Sequence, residues 1–153
     1  MTIGTFFRAL EKARVRYCLI GRSAAVYYGL TAVTFDIDIL LARGVANVKR
    51  FFKALRCLRV RSDPPSKLEL ELFLSEKVTR YEIDGRLFDV LKWQDGFCAS
   101  AWPRVKKVPY RGVTVRIADL RDLIQTKAQT PRRRDKADVR ALTRILRSKE
   151  AAR

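Results

Sequence analysis

The chain contains no histidine. That absence excludes the Ser-His-Asp triad, the Cys-His pair, histidine general bases and every histidine-ligated zinc site. Any chemistry must therefore run on carboxylates, lysine, hydroxyls or thiols. Carboxylates without histidine suit hard cations such as Mg²⁺. Cysteine is scarce: Cys18, Cys57 and Cys98 are far apart, odd in number and never in C-x-x-C spacing. A zinc knuckle and a thioredoxin-like motif are excluded on that count. Each cysteine sits in an apolar stretch and reads as a buried free thiol in a reducing compartment. No stretch approaches the ~20 apolar residues of a membrane span. The segment MTIGTFFRALEKARVRY has no apolar core long enough for a signal peptide. The expected location is the cytoplasm, with no membrane partner.

Acidic residues are also in short supply. The 153 residues carry 33 Lys and Arg against 16 Asp and Glu, a formal net charge of +17. A chain of this length makes one compact domain, and 48% hydrophobic residues argue against disorder. A charge this large raises the local concentration of polyanions, and each neutralised phosphate releases counterions. Nucleic acid is the first partner to consider. An anionic membrane surface, an acidic protein and arginine-rich genome composition are the alternatives.

No repeat and no low-complexity segment divides the chain. Ile3, Phe6, Phe7 and Leu10 recur at helical spacing and predict a helix over residues 2–14. Val15–Ile20 reads as a short strand, Ser23–Tyr28 as a helix stopped by Gly29, and Asp36–Leu41 as a strand. Val48, Phe51, Phe52, Leu55 and Leu58 form the apolar stripe of a further helix. Its opposite face carries Lys49, Arg50, Lys53 and Arg56. From Arg43 to Arg61 there are seven basic residues and no acidic one. Leu68–Leu74 alternates Leu and Glu and reads as a strand with one wet face. Val78–Ile83 and Arg86–Trp93 read as strands joined at Asp84-Gly85, a hairpin signal. A short helical piece over 96–101, a strand at Val113–Ile117 and helices at Asp119–Gln129 and Arg134–Arg147 complete the order. The pattern predicts one α+β domain over residues 1–153, a mixed sheet flanked by helices, with a helical C-terminal cap from about residue 119.

The informative segment is Ile20-Gly21-Arg22-Ser23, followed by Asp36-Ile37-Asp38-Ile39, with thirteen residues between Arg22 and Asp36. Two carboxylates two apart on a strand leave its same face. Forced together they repel, and one takes up a proton unless a cation intervenes. The Gly21 turn ahead of a helix can bring backbone N–H groups and the Ser23 hydroxyl to a phosphate. Either motif alone is weak, since Asp-x-Asp pairs are often exposed strand-edge residues. Their order and spacing together are more specific.

This combination resembles the nucleotidyltransferase superfamily, whose pattern is a hydrophobic-Gly-Gly/Ser turn followed by Asp-hydrophobic-Asp-hydrophobic. Phe88-Asp89-Val90-Leu91 fits the later strand that carries a third acidic residue in that superfamily. Asp119-Leu120-Arg121-Asp122-Leu123-Ile124, with Lys127, Arg132, Arg134, Asp135 and Asp138, looks like the ending of the minimal nucleotidyltransferases, a group that includes toxins of bacterial toxin–antitoxin systems. The resemblance implies two-metal nucleotidyl transfer, with Asp36, Asp38 and Asp89 holding Mg²⁺ or Mn²⁺ and a nucleoside triphosphate such as ATP as substrate. It implies that Gly21, Ser23 and Arg22 hold the triphosphate and that Lys127 reaches its phosphates. An antitoxin protein is a further partner implied by resemblance alone.

Two departures stand out. Arg22 occupies a turn position that is normally Gly or Ser, and Ala32 stands where relatives often carry Arg. They fit either erosion of the nucleotide site or relocation of its positive charge to Arg22. Arg132, Arg133 and Arg134 stand where a helix begins, and cations there oppose its dipole, so a phosphate-binding role gains weight. The four cations Lys49, Arg50, Lys53 and Arg56 are either a solvated helix face or a guide for a nucleic-acid acceptor. Trp93 and Trp102 read as core rather than as base-stacking platforms. The leading expectation is a transferase to nucleic acid, tRNA foremost. A small-molecule or protein hydroxyl acceptor and a non-catalytic nucleic-acid-binding module on a decayed transferase fold remain open.

Overall fold

The computed structural model describes residues 2–92 and 100–153. Helix α1 (Ile3–Lys12) starts at Thr2, whose hydroxyl accepts the Thr5 N–H. It buries the expected stripe of Ile3, Phe6, Phe7 and Leu10. Then come β1 (Tyr17–Ile20), α2 (Gly21–Tyr27), β2 (Ile37–Leu41) and α3 (Val45–Cys57). They are followed by α4 (Lys67–Ser75), β3 (Val78–Ile83), β4 (Arg86–Lys92), β5 (Lys106–Tyr110) and β6 (Val113–Ile117). Helices α5 (Leu120–Ala128) and α6 (Arg133–Ala151) close the described chain.

The six strands form one mixed sheet in the order β3-β4-β2-β1-β6-β5. β2 runs parallel to β4 and β1 parallel to β6, and the other neighbours are antiparallel. β1 lies inside the sheet, and all four of its residues are buried. β2 alternates: Ile37, Ile39 and Leu41 enter the main core, while Asp38 and Leu40 leave the other face. That second face carries a smaller cluster around Cys18, Ile20, Ala42 and Ala118. The α+β class, the mixed sheet and the helical C-terminal part agree with the sequence reading.

The hairpin forms as the Asp84-Gly85 dipeptide predicts. Both residues take left-handed backbone conformations, φ 51° and 72°, and Ile83 pairs with Arg86. Such turns match the natural twist of the two strands.

Four expectations are corrected. Leu68–Leu74 is not a strand but lies within helix α4. Ser66 accepts the Glu69 N–H at 3.1 Å and Glu69 accepts the Ser66 N–H at 2.7 Å, a complete capping box. Leu70 and Phe73, three apart, are then buried, with Phe73 against Phe51 and Phe52, while Leu68 and Leu72 stay exposed. The Leu-Glu alternation fits a strand, but the cap and the i, i+3 pair select a helix. Strand β5 was not expected; its Pro109 is tolerated because β5 is an edge strand. Cys57 is exposed, two residues past Leu55 and therefore off the buried stripe of α3. Cys18 is buried as expected, and Cys98 lies outside the described residues. Helix α6 also runs on to Ala151, past Arg147. Of the helical piece expected over 96–101, only Ser100 and Ala101 are described, and both are helical. Trp93 lies outside the described residues. Trp102 is half-buried on the smaller cluster, with the Arg16 guanidinium 4.6 Å from its ring centroid.

If the capping box selects helix over strand, Ser66→Ala lowers unfolding free energy by about 1 kcal/mol in urea titration. Unchanged stability would show that the cap contributes nothing.

Candidate active site

β2 and β4 are parallel neighbours with Asp38 directly opposite Asp89, so the two carboxylates leave one face of the sheet from backbones about 5 Å apart. Asp36 stands one residue ahead of β2. Its carbonyl accepts the Ser23 hydroxyl at 3.0 Å and the Thr34 hydroxyl at 3.2 Å. Ser23 is fully buried, so its hydroxyl is committed to placing Asp36 and is not turned outward.

On the other side of β2, Ile20 pairs with Asp38 and the chain turns immediately afterwards at Gly21. Gly21 has φ +64°, and a Cβ there would overlap the Asp38 carboxylate and lie 2.9 Å from Asp38 Cβ. Only glycine fits both demands. The tight turn brings the Arg22 backbone N–H close enough to the Asp38 carboxylate to favour its ionised form.

Burial, reinforced by the charges of Asp89 and Asp36, pushes the Asp38 carboxyl up to about 6. Lys127 and the Arg22 N–H offset this only in part. Asp89 behaves oppositely. The Arg80 guanidinium donates two hydrogen bonds to it, Nε to Oδ1 and a terminal nitrogen to Oδ2, each at 2.7 Å, and holds its carboxyl below the usual range. Arg80 did not figure in the sequence reading. The signal was present: counting outward from the two-residue turn at Asp84-Gly85 pairs Arg80 with Asp89, as observed.

Among the described residues, neither Asp36 nor Asp38 has a cationic side chain within ion-pair distance. Nor are any three acidic or thiol side chains drawn into a closed cluster among those residues. The donor set still suits a hard divalent ion. Two adjacent carboxylates, one raised by burial and by its neighbours, need positive charge to ionise together.

Lys127 is buried and sits between two carboxylates, 3.2 Å from Asp135 and 2.9 Å from Asp138. Asp135 also accepts the Thr130 hydroxyl at 2.6 Å. Asp138 in turn accepts from Arg22 at 3.4 Å, while the buried Arg22 Nε has no partner. The network ties α2, α5 and α6 together. Arg22, Asp38 and Lys127 line one cleft of about 190 Å³, with Arg132 and Arg134 on its wall. Arg133 is exposed at the start of α6 and does not line it. Lys49, Arg50, Lys53 and Arg56 are exposed on α3, away from the cleft lining. A wider cavity of about 400 Å³, lined by Tyr27, Tyr28, Asp119 and Lys149, contains none of the three carboxylates. Chemistry, not size, places the candidate site.

No protein-family profile and no curated protein sequence matches the chain. Solved structures do. A nucleotidyltransferase-like protein from Paracoccidioides brasiliensis superposes with a TM-score of 0.54 at 12% identity, over 94% of this chain and 72% of that one. The chain shares its fold with that protein. A candidate nucleotidyltransferase from Thermotoga maritima gives a TM-score of 0.51 at 14% identity, over 97% of this chain and 89% of that one. Among the described residues no helix is long and apolar enough to cross a membrane.

Two outcomes follow from the site's electrostatics. A carboxyl raised from 3.8 to about 6 holds a proton in the folded state that the unfolded state releases, so its ionisation costs stability as pH rises through that window. Asp38→Asn, which cannot ionise, should therefore be more stable than the parent by ~2 kcal/mol at pH 7.5 in chelator. The difference should close near pH 4; a gap of the same size at both pH values would mean that Asp38 charge is not its source. For the network, Lys127→Met leaves Asp135 and Asp138 buried without their cation and should cost ~3 kcal/mol in denaturant unfolding. A loss under ~0.5 kcal/mol would place Lys127 outside the structural frame.

Proposed function

We propose that the protein is a metal-dependent nucleotidyltransferase that moves a nucleoside monophosphate from a nucleoside triphosphate to a hydroxyl on nucleic acid, tRNA foremost. The observation that carries this reading is the in-register Asp38–Asp89 pair, with Asp36 beside it and a basic cleft adjoining. Asp36 and Asp38 would hold Mg²⁺ or Mn²⁺, with Asp89 completing the site of a second ion. Such ions, when bound, lower the pKa of the acceptor hydroxyl and neutralise charge on the α-phosphate and the leaving pyrophosphate.

The chain's own residues divide the remaining work. Gly21 lets backbone approach Asp38 closely, and the same turn offers a surface to the triphosphate. Arg132 and Arg134 supply charge along the cleft, where Lys127 also stands. Ser23 contributes by fixing the Asp36 backbone. The acceptor oxygen forms its bond to the α-phosphorus as the bond to the pyrophosphate oxygen breaks, and the hydroxyl proton passes to solvent. The net charge of +17 and the exposed row Lys49, Arg50, Lys53 and Arg56 favour a polyanionic acceptor. The C-terminal motif resembles that of the minimal nucleotidyltransferases, a group that includes toxins of toxin–antitoxin systems, and an antitoxin is the protein partner proposed on that resemblance.

One observation favours a second reading, a non-catalytic nucleic-acid-binding module. Lys127 is already neutralised by Asp135 and Asp138, and Arg22 is tied to Asp138. An incorporation assay separates the two. Purified protein is mixed with Mg²⁺, each labelled nucleoside triphosphate in turn and total tRNA. Label on RNA is expected with the parent and not with Asp36→Ala or Asp38→Ala. Label on the protein itself or on a small molecule would redirect the acceptor; RNA binding without any label would favour the module.

A further inference from the structure

We infer that Arg80 competes with a divalent ion for Asp89 and so sets how many ions the site holds. The inference rests on the metal-dependent reading above and goes beyond it. Asp89 is the carboxylate that would complete the second ion's site, yet both of its oxygens accept from Arg80 at 2.7 Å. Planar, two-point pairing of this kind is the strongest arrangement open to an arginine and a carboxylate. An ion approaching Asp89 must displace it. Among the described residues, Asp36 and Asp38 have no such occupant.

The guanidinium is placed to leave. Arg80 is on β3, the edge strand beyond β4, and its side chain is 58% exposed. Swinging it into solvent disturbs no core contact. It also feels the charge of Asp36 and Asp38 as well as that of Asp89. Among the described residues it is the one cation in ion-pair contact with any of the three carboxylates. Arg80 is therefore a positioning residue. It fixes the Asp89 carboxylate until an ion takes its place, and a first ion at Asp36 and Asp38 repels it and eases the exchange.

Mn²⁺ binding to the purified full chain, followed by calorimetry and by the paramagnetic signal of free Mn²⁺, tests this without any turnover. The parent should bind one ion, lost in Asp38→Asn, and a second more weakly. Arg80→Gln should tighten the second ion at least about tenfold, the equivalent of one modest interaction removed, and leave the first little changed. Arg80→Lys, which keeps the charge but not the two-point fork, should fall between. Second-ion affinity that is unchanged or weaker in Arg80→Gln, with the first ion still dependent on Asp38, overturns the competition and leaves the metal reading standing. No Mn²⁺ binding that depends on Asp38 overturns both.

Discussion

The protein depends on a close approach between the backbone at Gly21 and the side chain of Asp38. β1 ends opposite Asp38, the chain turns in a left-handed conformation, and the space a Cβ would need is filled by the carboxylate itself. The consequence runs in both directions. Asp38 fills the space beside the turn that starts α2, and α2 buries Ser23, whose hydroxyl fixes the Asp36 carbonyl. Asp38 is thus positioned by the turn and by parallel pairing with β4, and Asp36 by the hydroxyls of Ser23 and Thr34.

A second set of interactions holds the C-terminal helices against this turn. Lys127 on α5 joins Asp135 and Asp138 on α6, and Asp138 reaches Arg22 on α2. A buried pair of this kind gains little over a hydrophobic replacement, but removing one partner strands the others. Its value here is geometric. It keeps the cleft wall carrying Arg132 and Arg134 next to Asp38. The absence of a side-chain cap at Arg132 leaves the first turn of α6 poorly served, and Asp135, bound to Lys127 and Thr130, supplies the negative charge that the dipole favours.

The sheet and most helices were legible because their signals are local. The Asp84-Gly85 turn, the apolar stripes of α1 and α3 and the β-branched run around Asp38 each point to one structure. The Leu-Glu alternation over residues 68–72 has the period of a strand, but Ser66 and Glu69, at capping-box spacing, select a helix. β5 was missed because Pro109 and two lysines make a poor strand signal, and only an edge position accommodates them. Asp36 and Asp38 were legible as candidates from order and spacing, and Asp89 only through the resemblance. What those side chains bond to was not, except for Arg80, which the hairpin register pairs with Asp89. Ser23 and Lys127 show the limit: their residue types suit phosphate binding, but the hydroxyl is turned to a backbone carbonyl and the ammonium to two carboxylates.

Charge bookkeeping gives the carboxylates their meaning. With 33 basic and 16 acidic residues, almost any carboxylate can find a cation nearby. Most of the placed ones do: Glu11 with Arg116, Asp119 with Lys106, Asp122 with Arg104, Asp89 with Arg80, Glu150 with Arg121. Asp36 and Asp38 stand side by side without such a partner among the described residues. A cation-rich chain had every opportunity to neutralise them, and ionising Asp38 beside its neighbours costs stability. Stability alone would favour an arginine opposite them, as at Asp89. Leaving that place open is a cost that a mobile cation, arriving with its substrate, would remove.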